Sequence, residues 1–152
     1  MGNCCGSKST ATNTVRVRQQ KKEQYKLPKI IVMPEDSALI YLDVSSTPAS
    51  MQLRESLKHR FPNLVSCDND KRIFNQINMM KRRKYYIVIV DNIRQETLRF
   101  MLADSKVRAI YFSIKQIKTD QRFKSHKIKG FFNDQMALKN AIYHDVRADD
   151  IY

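Results

Sequence analysis

The sequence predicts an α/β domain on a five-stranded, parallel, doubly wound sheet, entered through a disordered basic N-terminal tail. Three observations carry that expectation. Of five short strand-like runs between residues 38 and 132, those at 38–44, 85–90 and 107–112 are apolar at nearly every position, as strands are when both faces of their sheet are covered. Segments with apolar residues at helical spacing stand between most of these runs, the alternation of a parallel sheet with crossover helices. The first 29 residues have neither period and are rich in Ser, Thr, Asn and Gln.

The flexible tail is expected to reach residue 36, because Pro28 and Pro34 discourage any regular element beyond a short extended piece at 30–33. The domain then fills residues 37–145. It opens with Ala38-Leu39-Ile40-Tyr41-Leu42-Asp43-Val44, a buried strand that closes on an acid. Thr47-Pro48 reads as a helix cap with proline at the first helical position. Leu53 and Leu57 continue that helix, and Phe61-Pro62 ends it. Residues 63–67 are a second strand. Asp68 or Asp70 can cap the next helix, whose inward stripe is Ile73, Phe74, Ile77 and Met80. Residues 85–90 are the clearest strand, closing at Asp91. A short helix over 96–103 turns Leu98, Met101 and Leu102 inward, and residues 107–112 form the fourth strand. Residues 115–125 are basic and weakly patterned, a poor helix or a loop. Residues 127–132 are the fifth strand, and Asp134 caps a last helix carrying Ala137, Leu138, Ala141 and Ile142. Residues 146–152 read as a frayed end. The strand order expected for such a chain is 2-1-3-4-5, the flavodoxin-like order.

Charge narrows the partners. The formal net charge is +13. That balance points to polyanions: an anionic membrane surface, a nucleic acid or an acidic protein. Between residues 1 and 29 stand Lys8, Arg16, Arg18, Lys21, Lys22, Lys26 and Lys29 against Glu23 alone. Three cysteines, two adjacent and one alone at Cys67, make no disulfide framework, so a reducing compartment is expected. No apolar run approaches the roughly 20 residues of a spanning helix.

In a doubly wound sheet the functional edge is where the strands end. Along it the sequence offers Asp43, Ser45 and Ser46, then Asp68 and Asp70, then Asp91 and Asn92, then Ser113, then Asn133 and Asp134. Acids and hydroxyls there could hold a cation or a phosphate. The bland alternative is that Thr47, Asp70 and Asp134 are caps, and Asp43 and Asp91 polar strand ends in turns. Asp43, Asp91 and Ser113 singly resemble the acceptor site of receiver domains. That resemblance implies an acidic pair after the first strand and a lysine after the fifth. Val44 follows Asp43, and Lys129 comes too early.

Glycine occurs only at positions 2, 6 and 130, so no phosphate-cradling glycine loop can be drawn. His59, His126 and His144 show no metal spacing with Cys67, and neither a metal nor another cofactor is expected. Lys81-Arg82-Arg83-Lys84 complements a helix end. With Lys115, Lys118, Arg122, Lys124, Lys127 and Lys129, interleaved with Tyr85, Phe112 and Phe123, it could also suit RNA, though no RNA-binding motif accompanies it.

The start, Met1-Gly2-Asn3-Cys4-Cys5-Gly6-Ser7-Lys8, resembles the lipid-anchored N-termini of signalling kinases and G-protein α subunits. The resemblance implies myristoylation of Gly2 and palmitoylation of Cys4 and Cys5. It departs at Gly6, where the strict pattern has Ser or Thr. One myristoyl chain binds membranes only marginally, with K on the order of 10⁴ M⁻¹, so a second acyl chain or the basic tail must add to it.

Residues 38–142 resemble a small α/β domain found at the N-termini of multidomain proteins of microscopic invertebrates, ahead of ADP-ribosyltransferase or tetratricopeptide-repeat domains. The likeness rests on Ile40-Tyr41-Leu42-Asp43, Gln52-Leu53-Arg54, Cys67-Asp68 with Asp70, Ala109-Ile110-Tyr111-Phe112, and Lys127-Ile128-Lys129-Gly130-Phe131-Phe132-Asn133-Asp134. It implies an accessory or sensing role and no reaction. The expected function is a non-enzymatic interaction module, lipid-anchored at the cytoplasmic face of a membrane, with a protein partner the sequence does not name. The alternatives are a degenerate receiver-like switch and an RNA-binding protein.

Overall fold

The computed structural model describes residues 27–90, 93–113 and 125–151. Five strands, β1 (Ser37–Asp43), β2 (Val65–Cys67), β3 (Lys84–Val90), β4 (Val107–Ser113) and β5 (Ile128–Phe132), form one parallel sheet in the order β2-β1-β3-β4-β5. The helices are α1 (Pro48–Arg60), α2 (Ile73–Met80), α3 (Gln95–Ala103) and α4 (Gln135–Ile151). The domain is α/β and flavodoxin-like, as the sequence predicts.

The continuous apolar runs have their cause in this layering. Successive strand residues point to opposite faces. Leu39, Tyr41, Tyr86, Val88 and Tyr111 face α1 and α4, against Leu53, Leu57, Leu138 and Ile142. Ile40, Leu42, Ile87, Ile89 and Ile110 face α2 and α3, against Ile73, Ile77, Leu98 and Met101. Burying each such side chain is worth about 1.5–3 kcal/mol relative to leaving it exposed. The tyrosines bring hydroxyls into this core, and each finds a partner. Tyr85 donates to Ile77 O at 2.8 Å, Tyr86 to Asp149 at 2.6 Å and Tyr111 to Asp145 at 2.7 Å. Burial, aided by the adjacent carboxylates, raises the Tyr86 and Tyr111 pKa values far above the ordinary phenol range.

Three expectations need correction. The chain does not fray at residue 146. Val146 extends the Leu138–Ile142 stripe into the core at four-residue spacing, and Asp145 and Asp149 receive the two tyrosine hydroxyls, so α4 runs to Ile151. The domain also begins before residue 37. Ile31 and Met33 are buried in the core beneath α1, and Ile31 N–H donates to Arg60 O at 2.6 Å. Nor does Asp70 cap α2. That helix starts after Arg72 with no side-chain cap, and Asp70 is used elsewhere. The two expected caps on other helices hold. Thr47 Oγ1 accepts from Ser50 N–H at 3.2 Å, and Asp134 Oδ1 from Met136 N–H at 3.2 Å. The expected loop at 115–125 lies almost wholly outside the described residues. Gly130, at φ 154°, stands where the β4–β5 register shifts between Ile110 and Tyr111.

Candidate functional site

The edge where the strands end was the sequence's candidate. Its register is a single row: Asp43 beside Val90, Val90 beside Ser113, Ser113 beside Phe132. Asp43 and Ser113 are therefore two strand spacings apart, about 10 Å. Asp91, which would follow Val90 between them, lies outside the described residues, as does Asn92.

Asp43 is buried and locally engaged. Its Oδ1 accepts from Ser45 Oγ and from Ser46 N–H, both at 3.0 Å. Those bonds hold Ser46 in the left-handed region, at φ 51°. Thr47 then caps α1, and Ser50 Oγ donates to Thr47 O at 2.8 Å. Asp43 thus shapes the turn that starts α1, and Ser113 lies half-buried at the end of β4.

A second cluster lies on the same edge. Asp70 is 8% exposed and accepts from Arg94 Nε at 2.7 Å and from Thr97 Oγ1 at 3.3 Å. Burial raises the pKa of this carboxyl, but the Arg94 guanidinium and the Thr97 hydroxyl outweigh it and hold the group below the usual carboxylate range. The cluster floors an open concavity of about 430 Å³ between α2 and α3, walled by Phe74 and Phe100 edge to face at 5.7 Å, with Lys71 and Glu96 at its rim. Sequence reasoning missed it because Asp70 and Arg94 are 24 residues apart. The usable signal is topological. Right-handed crossovers after β2 and after β3 place both following helices on one face, so their N-termini are neighbours.

Cys67 is buried, and its thiol donates to Asn69 O at 3.1 Å. Burial raises its pKa, so it stays a thiol at neutral pH. Among the described residues, no group of three or more His, Cys, Asp or Glu side chains is placed to hold a metal ion, and no helix is long and apolar enough to cross a membrane.

Of the expected membrane-facing residues, Lys29 is described and exposed. Gly2, Cys4, Cys5, Lys8, Arg16, Arg18, Lys21, Lys22 and Lys26 lie outside the described residues, as do Lys115, Lys118, Arg122 and Lys124. The run Lys81-Arg82-Arg83-Lys84 lies at the other edge of the sheet, where strands begin, with its first three residues exposed. Compared with protein families, with curated proteins and with solved structures, the chain matches none.

Proposed function

We propose that this protein is a non-enzymatic α/β interaction module anchored by fatty acids at the cytoplasmic face of a membrane. The observation that carries the reading is the N-terminal conjunction. Gly2 follows Met1, two thiols stand beside it at Cys4 and Cys5, and the residues up to Lys29 hold seven cations against Glu23 alone. Myristate on Gly2 gives a weak anchor, palmitate on a neighbouring cysteine a second, and each basic residue near an anionic leaflet adds up to about 1 kcal/mol. Two features of the domain support action by contact. The carboxylate of Asp43 is bonded within its own turn, that of Asp70 is engaged by Arg94 and Thr97 across two loops, and Cys67 is a buried, protonated thiol. The likeness of residues 38–142 to accessory domains of larger proteins supports the same role.

Vesicle sedimentation of protein made with an active myristoyltransferase tests the anchor. Gly2→Ala should become largely soluble, because it removes the myristoyl acceptor and leaves every cation in place. Cys4→Ser/Cys5→Ser should be intermediate. Lys21→Gln/Lys22→Gln/Lys26→Gln should weaken binding to anionic vesicles and reduce its salt sensitivity. Gly2→Ala protein that binds as tightly as wild type would sink the reading.

A further inference from the structure

We infer that the edge of the sheet where the strands begin is the face this domain turns to the membrane, and that its partner is the anionic surface of a lipid bilayer. The inference rests on the anchored reading and adds an orientation to it.

The topology gathers the pieces. All five strands are parallel, so every strand start and every helix end shares one edge. Residues 27–36 reach β1 at that edge, so the tail carrying the lipid signal joins the domain there. Lys29 stands in this segment. The end of α1 brings Lys58, His59 and Arg60, and the turn into β3 brings Lys81, Arg82, Arg83 and Lys84. Lys106 and Lys127 lead into β4 and β5, and Arg147 lies in the last turns of α4. Against them stand Glu35, Asp36, Asp104, Asp149 and Asp150. The opposite edge has the reverse balance among the described residues: Asp43, Asp68, Asp70, Glu96 and Asp134 against Lys71, Arg72 and Arg94.

The basic residues of the starting edge make no ion pair with a carboxylate among the described residues. Among the described residues the ion pairs are Arg54–Glu55 and Arg94–Asp70, and neither is at this edge. Its cations bond to carbonyl oxygens, which orient a cation without neutralising it. Arg60 donates to Pro28 O, Arg82 to Glu35 O, Lys84 to Asp149 O and Lys127 to Leu102 O and Asp104 O. Helix dipoles account for part of this charge: among the described helices, α1 has basic residues in its last turn and the Lys81–Lys84 run starts at the C-cap of α2, but four adjacent cations are more than one helix end requires.

Exposed apolar side chains accompany the charge. The extended segment 30–33 alternates, Ile31 and Met33 inward, Ile30 61% and Val32 69% exposed. Met79, next to the basic turn, is 81% exposed. Cations with interleaved exposed apolar groups are the composition that adsorbs to an anionic interface, where the apolar groups enter the headgroup boundary. A weak surface of this kind becomes effective once an anchor makes its contact intramolecular.

The chain has no tryptophan, so single reporters are available. Val32→Trp marks the starting edge. Met51→Trp, at an exposed position in the first turn of α1, marks the opposite one. Each is made in the full, myristoylated chain and mixed with phosphatidylserine-containing vesicles carrying brominated acyl chains. Val32→Trp emission should shift to the blue and be quenched, and Met51→Trp emission should not change. Lys81→Gln/Arg82→Gln/Arg83→Gln should lower the partition coefficient at least about tenfold, while Lys71→Gln/Arg72→Gln leaves it unchanged. Quenching of Met51→Trp instead, or of neither reporter in sedimented protein, overturns the inference. So does a triple variant that loses RNA binding and keeps vesicle binding. Gly2-dependence of sedimentation in the same samples reports on the anchor separately. If it is absent, the same two reporters in the Gly2→Ala chain at low salt still decide the edge, and a chain that ignores phosphatidylserine altogether overturns it.

Discussion

The two edges of this sheet are built from the same connections, yet they treat charge in opposite ways. Where strands end, carboxylates are engaged by the protein. Asp43 holds the turn into α1, Asp70 binds Arg94 and Thr97, and Asp134 starts α4. Where strands begin, cations touch carbonyl oxygens and meet no carboxylate in an ion pair among the described residues. Part of the sorting is general. Helix N-termini favour acids and capping oxygens, and helix C-termini favour cations. The remainder is particular to this chain. Its acids at the strand ends are built into turns, whereas its cations at the strand starts make no ion pair among the described residues.

The largest expected effect on stability is at Asp70. Asp70→Ala removes a carboxylate that satisfies a guanidinium and a hydroxyl, at a cost of about 2 kcal/mol in urea unfolding. The pH dependence carries its own sign. The pKa of Asp70 is depressed in the fold, so its contribution is fully present above the ordinary carboxylate value, about 4, and is lost as pH falls through the lowered value. Wild-type stability should therefore decline more steeply on acidification than that of Asp70→Ala. A variant within about 0.5 kcal/mol of wild type, with an unchanged acid limb, would mean that solvent already screens the pair and that the two edges do not differ in this respect.

Asp43→Ala should cost less, about 1 kcal/mol, because it removes two local bonds around Ser46 and leaves the Thr47 cap in place. Magnesium sharpens this test. With Asp43 committed to its own turn, magnesium should leave the wild-type melting temperature unchanged. A rise that disappears in Asp43→Ala would mean that the strand-end acids bind a cation, and the receiver-like alternative would replace the module reading.

The sheet was legible because both of its faces are covered. Runs such as residues 85–90 have no polar face to confuse with a loop, and the order follows from right-handed crossovers. The ends of the domain were not legible. Asp145 and Asp149 look like solvent residues in a fraying helix, and only the positions of Tyr111 and Tyr86 in the sheet give them partners. Ile31 and Met33 lie between prolines, and their burial depends on a groove that exists only once α1 has packed. The Asp70–Arg94 cluster joins two loops with no shared local signal. The basic edge was written plainly in the sequence as a run at 81–84. That it shares an edge with the end of α1 and the entry of the tail is a property of parallel topology, visible only when the order of the strands is known.

The smallest effect on stability is expected where the charge is greatest. Lys81→Gln/Arg82→Gln/Arg83→Gln keeps the side chains long and polar, and Lys81, the left-handed C-cap of α2, bears no β-branch in either form. The backbone bonds of that turn, Arg83 N–H and Lys84 N–H to Asp36 O at 2.9 and 3.0 Å, do not depend on the charges. Losing the bond from Arg82 to Glu35 O is offset by relief of repulsion among four adjacent cations. The triple variant should unfold within about 0.5 kcal/mol of wild type. Salt should separate the two proteins by the size of their response. Screening weakens repulsion, so wild-type stability should rise by a few tenths of a kcal/mol with added sodium chloride, and the variant should respond less. A loss above about 1 kcal/mol, or a wild type destabilised by salt, would make these cations structural in the way that Asp70 is, and the contrast between the edges would fail at its clearest point.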